Sequence, residues 1–235
     1  LMQTISVSLA KEKAEELLKT VVGAEKADIE FLRADALNAI GKKDEYKKLI
    51  GELQKKYPTH ARAGDVKADL VFSAMSDLTR RWKEAKDESD STKRKALADK
   101  IHAEYKQLIA DFKKLVVEAN AQCKAIDELE DMRKKYVEVN IKKLRRRDTF
   151  ELKFGEMIYA ASQTYVAGDP DRNSLLDKAF KVIDDFTLDR GENYSFDLLA
   201  NAYKTKGLIL LDQDKADDAV LEFEGLKEYV APIQV

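Results

Sequence analysis

Glycine and proline are scarce in this chain, with 9 and 3 residues among 235. Between Gly64 and Gly155 there is neither, which removes the strongest helix breakers from that stretch and predicts long helices. Cysteine occurs once, at Cys123, so an internal disulfide framework and a four-cysteine zinc site are excluded. Histidine occurs twice, at His60 and His102, and neither has the second histidine four residues away that a zinc hydrolase uses. A G-x-S-x-G elbow and a phosphate-cradling glycine loop are also missing, so no catalytic residue, metal or cofactor is expected. No apolar run approaches the length of roughly 18 residues that a membrane-spanning helix needs. The opening LMQTISVSLA is short and lacks a basic n-region, so it does not read as a signal peptide. The expectation is a soluble protein, of the cytoplasm or of a bacterial periplasm or envelope.

Charge is what the chain has in quantity. Charged residues make up 37% and hydrophobic residues 44%, the latter at helical spacing, which predicts an all-α fold. The net charge is only −2, but residues 168–235 hold 8 Lys/Arg against 15 Asp/Glu and the remainder 34 against 29. So mild an asymmetry describes solvated helix faces rather than a nucleic-acid footprint.

One ten-residue pattern recurs five times: EKAEELLKTV from Glu12, DEYKKLIGEL from Asp44, AEYKQLIADF from Ala103, DKAFKVIDDF from Asp177 and DDAVLEFEGL from Asp217. Its third, seventh and tenth positions are Ala or Tyr, then an aliphatic or Phe, then Val, Leu or Phe. They fall on one helical face and predict a buried stripe in each copy.

The last copy closes a helix–turn–helix from Ala202 to Pro232 that resembles a tetratricopeptide repeat. Gly207 and Ala219 fall at the family's two small positions, Phe223 at its aromatic position and Pro232 beside its terminal proline. Tyr203, Lys206 and Leu226 replace the family's tryptophan, leucine and alanine. The unit ending at Pro58 is similar, with Ala34, Leu37 and Ile50 in place and Tyr46 where a small residue is usual. The adjoining KKYPTHARAG is similar to repeat junctions of bacterial cell-envelope proteins of this class, such as outer-membrane assembly lipoproteins. The resemblance implies a right-handed superhelix of antiparallel helix pairs that binds a protein or peptide on its concave face. The residues it implies there are Asp28, Phe31, Asp35 and Asn38 in one unit, and Asn201, Lys204, Leu208 and Leu211 in the other. The lysine and asparagine set of the family's clamp for C-terminal carboxylates is not reproduced.

The expected divisions, within one continuous elongated domain, are repeat-like units over 1–64 and 149–235 and a long helical hairpin over 65–148. The hairpin helices run from about Val66 to Lys86 and onward from Thr92, the second with a seam of Leu97, Ile101, Tyr105, Leu108, Phe112 and Leu115. It either continues to Arg147 or breaks near Ala119 to Gln122. Thr149 and either Asn173 or Ser174 are expected helix caps.

Asp169, Asp171 and Asn173 have calcium-loop spacing, but Ser174 stands at the glycine position and Phe180 at that of the bidentate glutamate, so a turn is expected instead. Lys142, Lys143, Arg145, Arg146 and Arg147 form a basic cluster, read as a solvated helix end that suits an acidic protein partner better than nucleic acid, which is not expected. Trp82, among Arg80, Arg81 and Lys83, is either an exposed anchor or hairpin packing. Cys123 is expected to be an inert seam residue, although an approach to His102 is conceivable. The leading functional reading is a non-catalytic interaction scaffold; the alternative is a coiled-coil spacer or self-assembling homodimer built on residues 66–147.

Overall fold

The computed structural model describes residues 12–18, 24–57, 61–189 and 196–230, and every regular element among them is helical. Pro58, His60, Gly191 and Pro232 lie outside the described residues. Residues 12–17 form α1, followed by α2 (Ala24–Ala39), α3 (Lys43–Lys56), α4 (Ala61–Lys86), α5 (Ser91–Asp127) and the single turn α6 (Met132–Lys135). Next come α7 (Glu138–Ser162), α8 (Pro170–Asp189), α9 (Phe196–Asp212) and α10 (Ala216–Val230). The chain divides into two compact units, Leu1–Ser73 and Ala74–Val235, with α4 supplying residues to both.

In the first unit α2 turns into α3 through Gly41, whose φ of +79° is open to glycine at no steric cost. The Lys42 amide bonds back to the Leu37 carbonyl at 2.9 Å, so the end of α2 does not leave that acceptor empty. Phe31, Ala34 and Leu37 then meet the α3 stripe of Tyr46, Ile50 and Leu53. All six are buried, and each large apolar side chain so buried contributes about 1.5–3 kcal/mol.

The long helices that the missing breakers predict come next. α4 has 26 residues and α5 has 37. The Asp90 carboxylate caps α5, accepting from the amides of Thr92 at 2.8 Å and Lys93 at 3.1 Å. α4 and α5 pair through Leu78, Ala85, Ile101 and Tyr105, with an Arg81–Glu104 ion pair at 2.6 Å. Trp82 belongs to this packing: it is half-buried against the cluster, with the Lys86 ammonium 5.4 Å from its ring centroid.

α5 neither breaks near Ala119 nor reaches Arg147. It stops at Asp127, and α7 starts at Glu138. α7 therefore runs through the expected boundary at residues 148 and 149. Thr149 is not a cap but a mid-helix residue whose hydroxyl donates to the Arg145 carbonyl at 2.7 Å. α5 packs on α7, α7 on α8, α8 on α9 and α9 on α10, and the boundary between the units lies at Ser73. The α8 cap also differs from expectation: Asp169 accepts from the Asp171 amide at 2.8 Å and Pro170 opens the helix, leaving Asn173 and Ser174 inside it.

Two glycines sit where neighbouring helices approach closely. A Cβ on Gly155 would sit 2.5 Å from Ile183 Cγ1, between α7 and α8. A Cβ on Gly207 would sit 2.6 Å from Phe223 Cε1, between α9 and α10. Ile183 is fully buried and has no room to retreat. Gly155→Ala is therefore expected to destabilise by about 1–3 kcal/mol through overpacking, although alanine is by itself the better helix former by about 1 kcal/mol. Urea unfolding measures it; a more stable variant would mean that the α7–α8 crossing relaxes freely.

Lys206 lies between α8 and α10. It is 12% exposed and reaches Asp184 at 2.6 Å and Glu222 at 2.9 Å, tying α9 to both neighbours. Asp212, the last residue of α9, ties that helix to α7 and α8. It accepts from Tyr159 at 2.8 Å, Gln163 at 2.7 Å and Arg172 at 2.9 Å. A carboxylate at a helix C-terminus opposes the macrodipole, and Arg172 offsets this by also donating to the Asp212 carbonyl at 3.2 Å.

Candidate functional site

A groove with an apolar floor lies in the second unit. α7 carries Phe154, Ile158 and Ala161 at i, i+4 and i+7 along its base, and α5 and α8 both pack on α7 to form the walls. From α5 come His102, Lys106, Ile109 and Lys113; from α8 come Ser174, Leu175, Lys178, Lys181 and Val182. The spacing is that of one face per helix. The volume is about 770 Å³, within the range of natural ligand sites.

Charge in the groove is uneven. Lys106, Lys113, Lys178 and Lys181 line it against one carboxylate, Asp171. None of the four lysines pairs with a carboxylate among the described residues. The end near Tyr165 is different: burial first, and then the carboxylates of Asp171, Asp169 and Asp99, push the Tyr165 phenol above its ordinary pKa. His102 closes this end, stacked on Tyr165 with centroids 3.8 Å apart and its Nε2 3.0 Å from the Thr164 carbonyl.

The residues expected to line a concave face have mixed fates. Asp28 and Asn38 are exposed. Phe31 is 1% exposed and cannot contact a partner; it lies between Ala34, Leu37 and the α3 stripe because its face of α2 is the core face. Asp35 is engaged by Arg62 at 2.7 Å. On α9, Asn201 and Lys204 are exposed, Leu208 is half-buried and Leu211 is 47% exposed.

The basic run is divided among several partners. Because α7 restarts at Glu138, these residues lie in its first turns and not at a helix C-terminus. Lys142 pairs with Glu138 at 2.7 Å and Arg145 with Asp197 at 3.1 Å, while Arg146 lies 5.1 Å over the Phe150 ring. Lys143 is exposed. Arg147 is 1% exposed: its Nη1 meets Asp127 at 2.7 Å and its Nε meets Asp148 at 2.9 Å. Burial alone would lower its pKa, but these carboxylates outweigh burial and raise it.

His102 and Cys123 do not meet. Twenty-one residues of one helix separate them, or about 31 Å at 1.5 Å per residue, and Cys123 is buried with Ile126 and Leu144. Among the described residues no cluster of three His, Cys, Asp or Glu side chains is placed to hold a metal ion, and no helix is long and apolar enough to cross a membrane. No protein-family model, curated protein or solved structure matches the chain.

The four groove lysines carry a faint sequence signal. Lys106 and Lys113 flank Ile109, and Lys178 and Lys181 flank Phe180 and precede Val182. Each pair alone reads as a solvated helix face, and only folding sets α5 and α8 on either side of α7.

Proposed function

We propose that the chain is a non-catalytic protein-interaction scaffold of the tetratricopeptide-like kind, and that the α5–α7–α8 groove receives a segment of a partner. The observation that carries this reading is an apolar floor left open between two helical walls. Phe154, Ile109, Leu175 and Val182 are only partly buried there, as sites for inserted side chains are. The helix–turn–helix pairs α2–α3 and α9–α10, with Ala34 fully buried and Gly207 under Phe223, support the repeat-like part of the reading. In that reading the pairs stack as a right-handed superhelix, and Asn201, Lys204 and Leu211 offer further contact points.

The alternative, a coiled-coil spacer or homodimer, has less support. Several residues of the α5 seam are already engaged within their own chain, Ile101 and Tyr105 by α4, and Phe112 by Phe150 at 5.6 Å between ring centroids, although Leu97 is 41% exposed.

Selection of displayed 12-residue peptides on the full chain tests the proposal. Selected peptides are expected to perturb the NMR signals of Ile109, Phe154 and Leu175. Binders that map elsewhere, or a selection that yields none, would count against it.

A further inference from the structure

We infer that the segment received by the groove is an acidic amphipathic helix, lying parallel to α5 with its C-terminal end at Lys113 and Lys181. The inference rests on the docking reading above and adds the chemistry of the ligand.

The helical form follows from hydrogen bonding. The groove is walled and floored by the sides of three helices, whose backbone groups are engaged within their own ladders. An extended peptide would bury amides and carbonyls against Ile109, Phe154 and Val182 with no partner for them, whereas a helix satisfies its own. From His102 to Lys113 the wall is about 16 Å long, or three turns of helix. That length presents apolar side chains at i, i+4 and i+7, matching the i, i+4, i+7 floor of Phe154, Ile158 and Ala161.

The sign of the charge follows from the walls. Lys106 and Lys113 on one side and Lys178 and Lys181 on the other have no carboxylate partner among the described residues, so a ligand with acidic flanks meets cations along both edges. The direction follows from the ends. Asp171 lines the groove with Tyr165, Asp169 accepts from the Asp171 amide, and Asp99 lies three residues before His102 on α5, so the positive N-terminus of a helix is favoured at this end, and the lysines Lys113 and Lys181 lie toward the other end, where its negative C-terminus is favoured.

Three synthetic 14-residue helices with identical leucines at i, i+4 and i+7 and with flanks of Glu, Gln or Lys would be titrated onto the full chain by calorimetry. The expected order is Glu tighter than Gln tighter than Lys, with about tenfold between the extremes. The Lys106→Glu/Lys178→Glu variant, its helicity checked by circular dichroism, should reverse that order. A nitroxide on the peptide C-terminus should broaden the amide signals of Lys113 and Lys181 more than that of Tyr165. Equal affinity of the three peptides for the unaltered chain would overturn the charge assignment while leaving the docking reading intact. Failure of all three to bind would overturn both. Stronger broadening at Tyr165 would overturn the direction.

Discussion

Replacing Arg147 by alanine is expected to destabilise the second unit by about 3–5 kcal/mol, the cost of breaking a buried ion pair by removing one partner. The guanidinium is 1% exposed and holds two carboxylates at once. Asp127 is the last residue of α5 and Asp148 is a neighbour on α7, so the cation joins the two helices across the turn at residues 128–137. Asp148 is 2% exposed in its side chain and would lose the charge beside it in a setting where water does not replace it. Lysine should recover only part of the loss, because a point charge cannot reproduce the two-directional fork of arginine. Urea denaturation of the full chain, followed by helical circular dichroism, measures the effect. A variant within about 1 kcal/mol of the parent would show that the pair roughly breaks even against its own desolvation.

Phe31→Ala should cost the first unit about 3–5 kcal/mol, as truncation of a buried phenylalanine does elsewhere. Phe31 is 1% exposed and packs with Ala34, Ile50 and Leu53, its ring 6.5 Å from that of Tyr57. Hydrogen exchange read by mass spectrometry should show α2 and α3 losing protection while α5 and α7 keep theirs. A residue that served to contact a ligand would give a different result, with binding lost and protection unchanged. That outcome would restore Phe31 to the concave face.

The buried stripes are legible in the chain, because Tyr46, Ile50 and Leu53, or Ala179, Ile183 and Phe186, are local patterns that any helix turns to one side. Long helices between Gly64 and Gly155 are legible for the same local reason. The direction in which a helix faces its neighbours is not local, so a position that points to a groove in one array points into the core in another, as Phe31 does. Arg147 is hidden by its company: five cations in six residues look alike in a sequence, and only Asp127 and Asp148 single one out. The groove is the least legible feature, since Lys106 and Lys178 are 72 positions apart and meet at one site only through α7.

Because α8, α9 and α10 each pack on the helix that precedes them in the chain, the second unit can close most of its contacts by joining segments that are neighbours in the sequence. The chain entropy lost at each such closure is small, and proteins rich in neighbouring contacts fold on microsecond to millisecond timescales. Assembly of α7 to α10 can then proceed helix by helix as the polypeptide emerges during synthesis, with each new helix finding its docking face already formed.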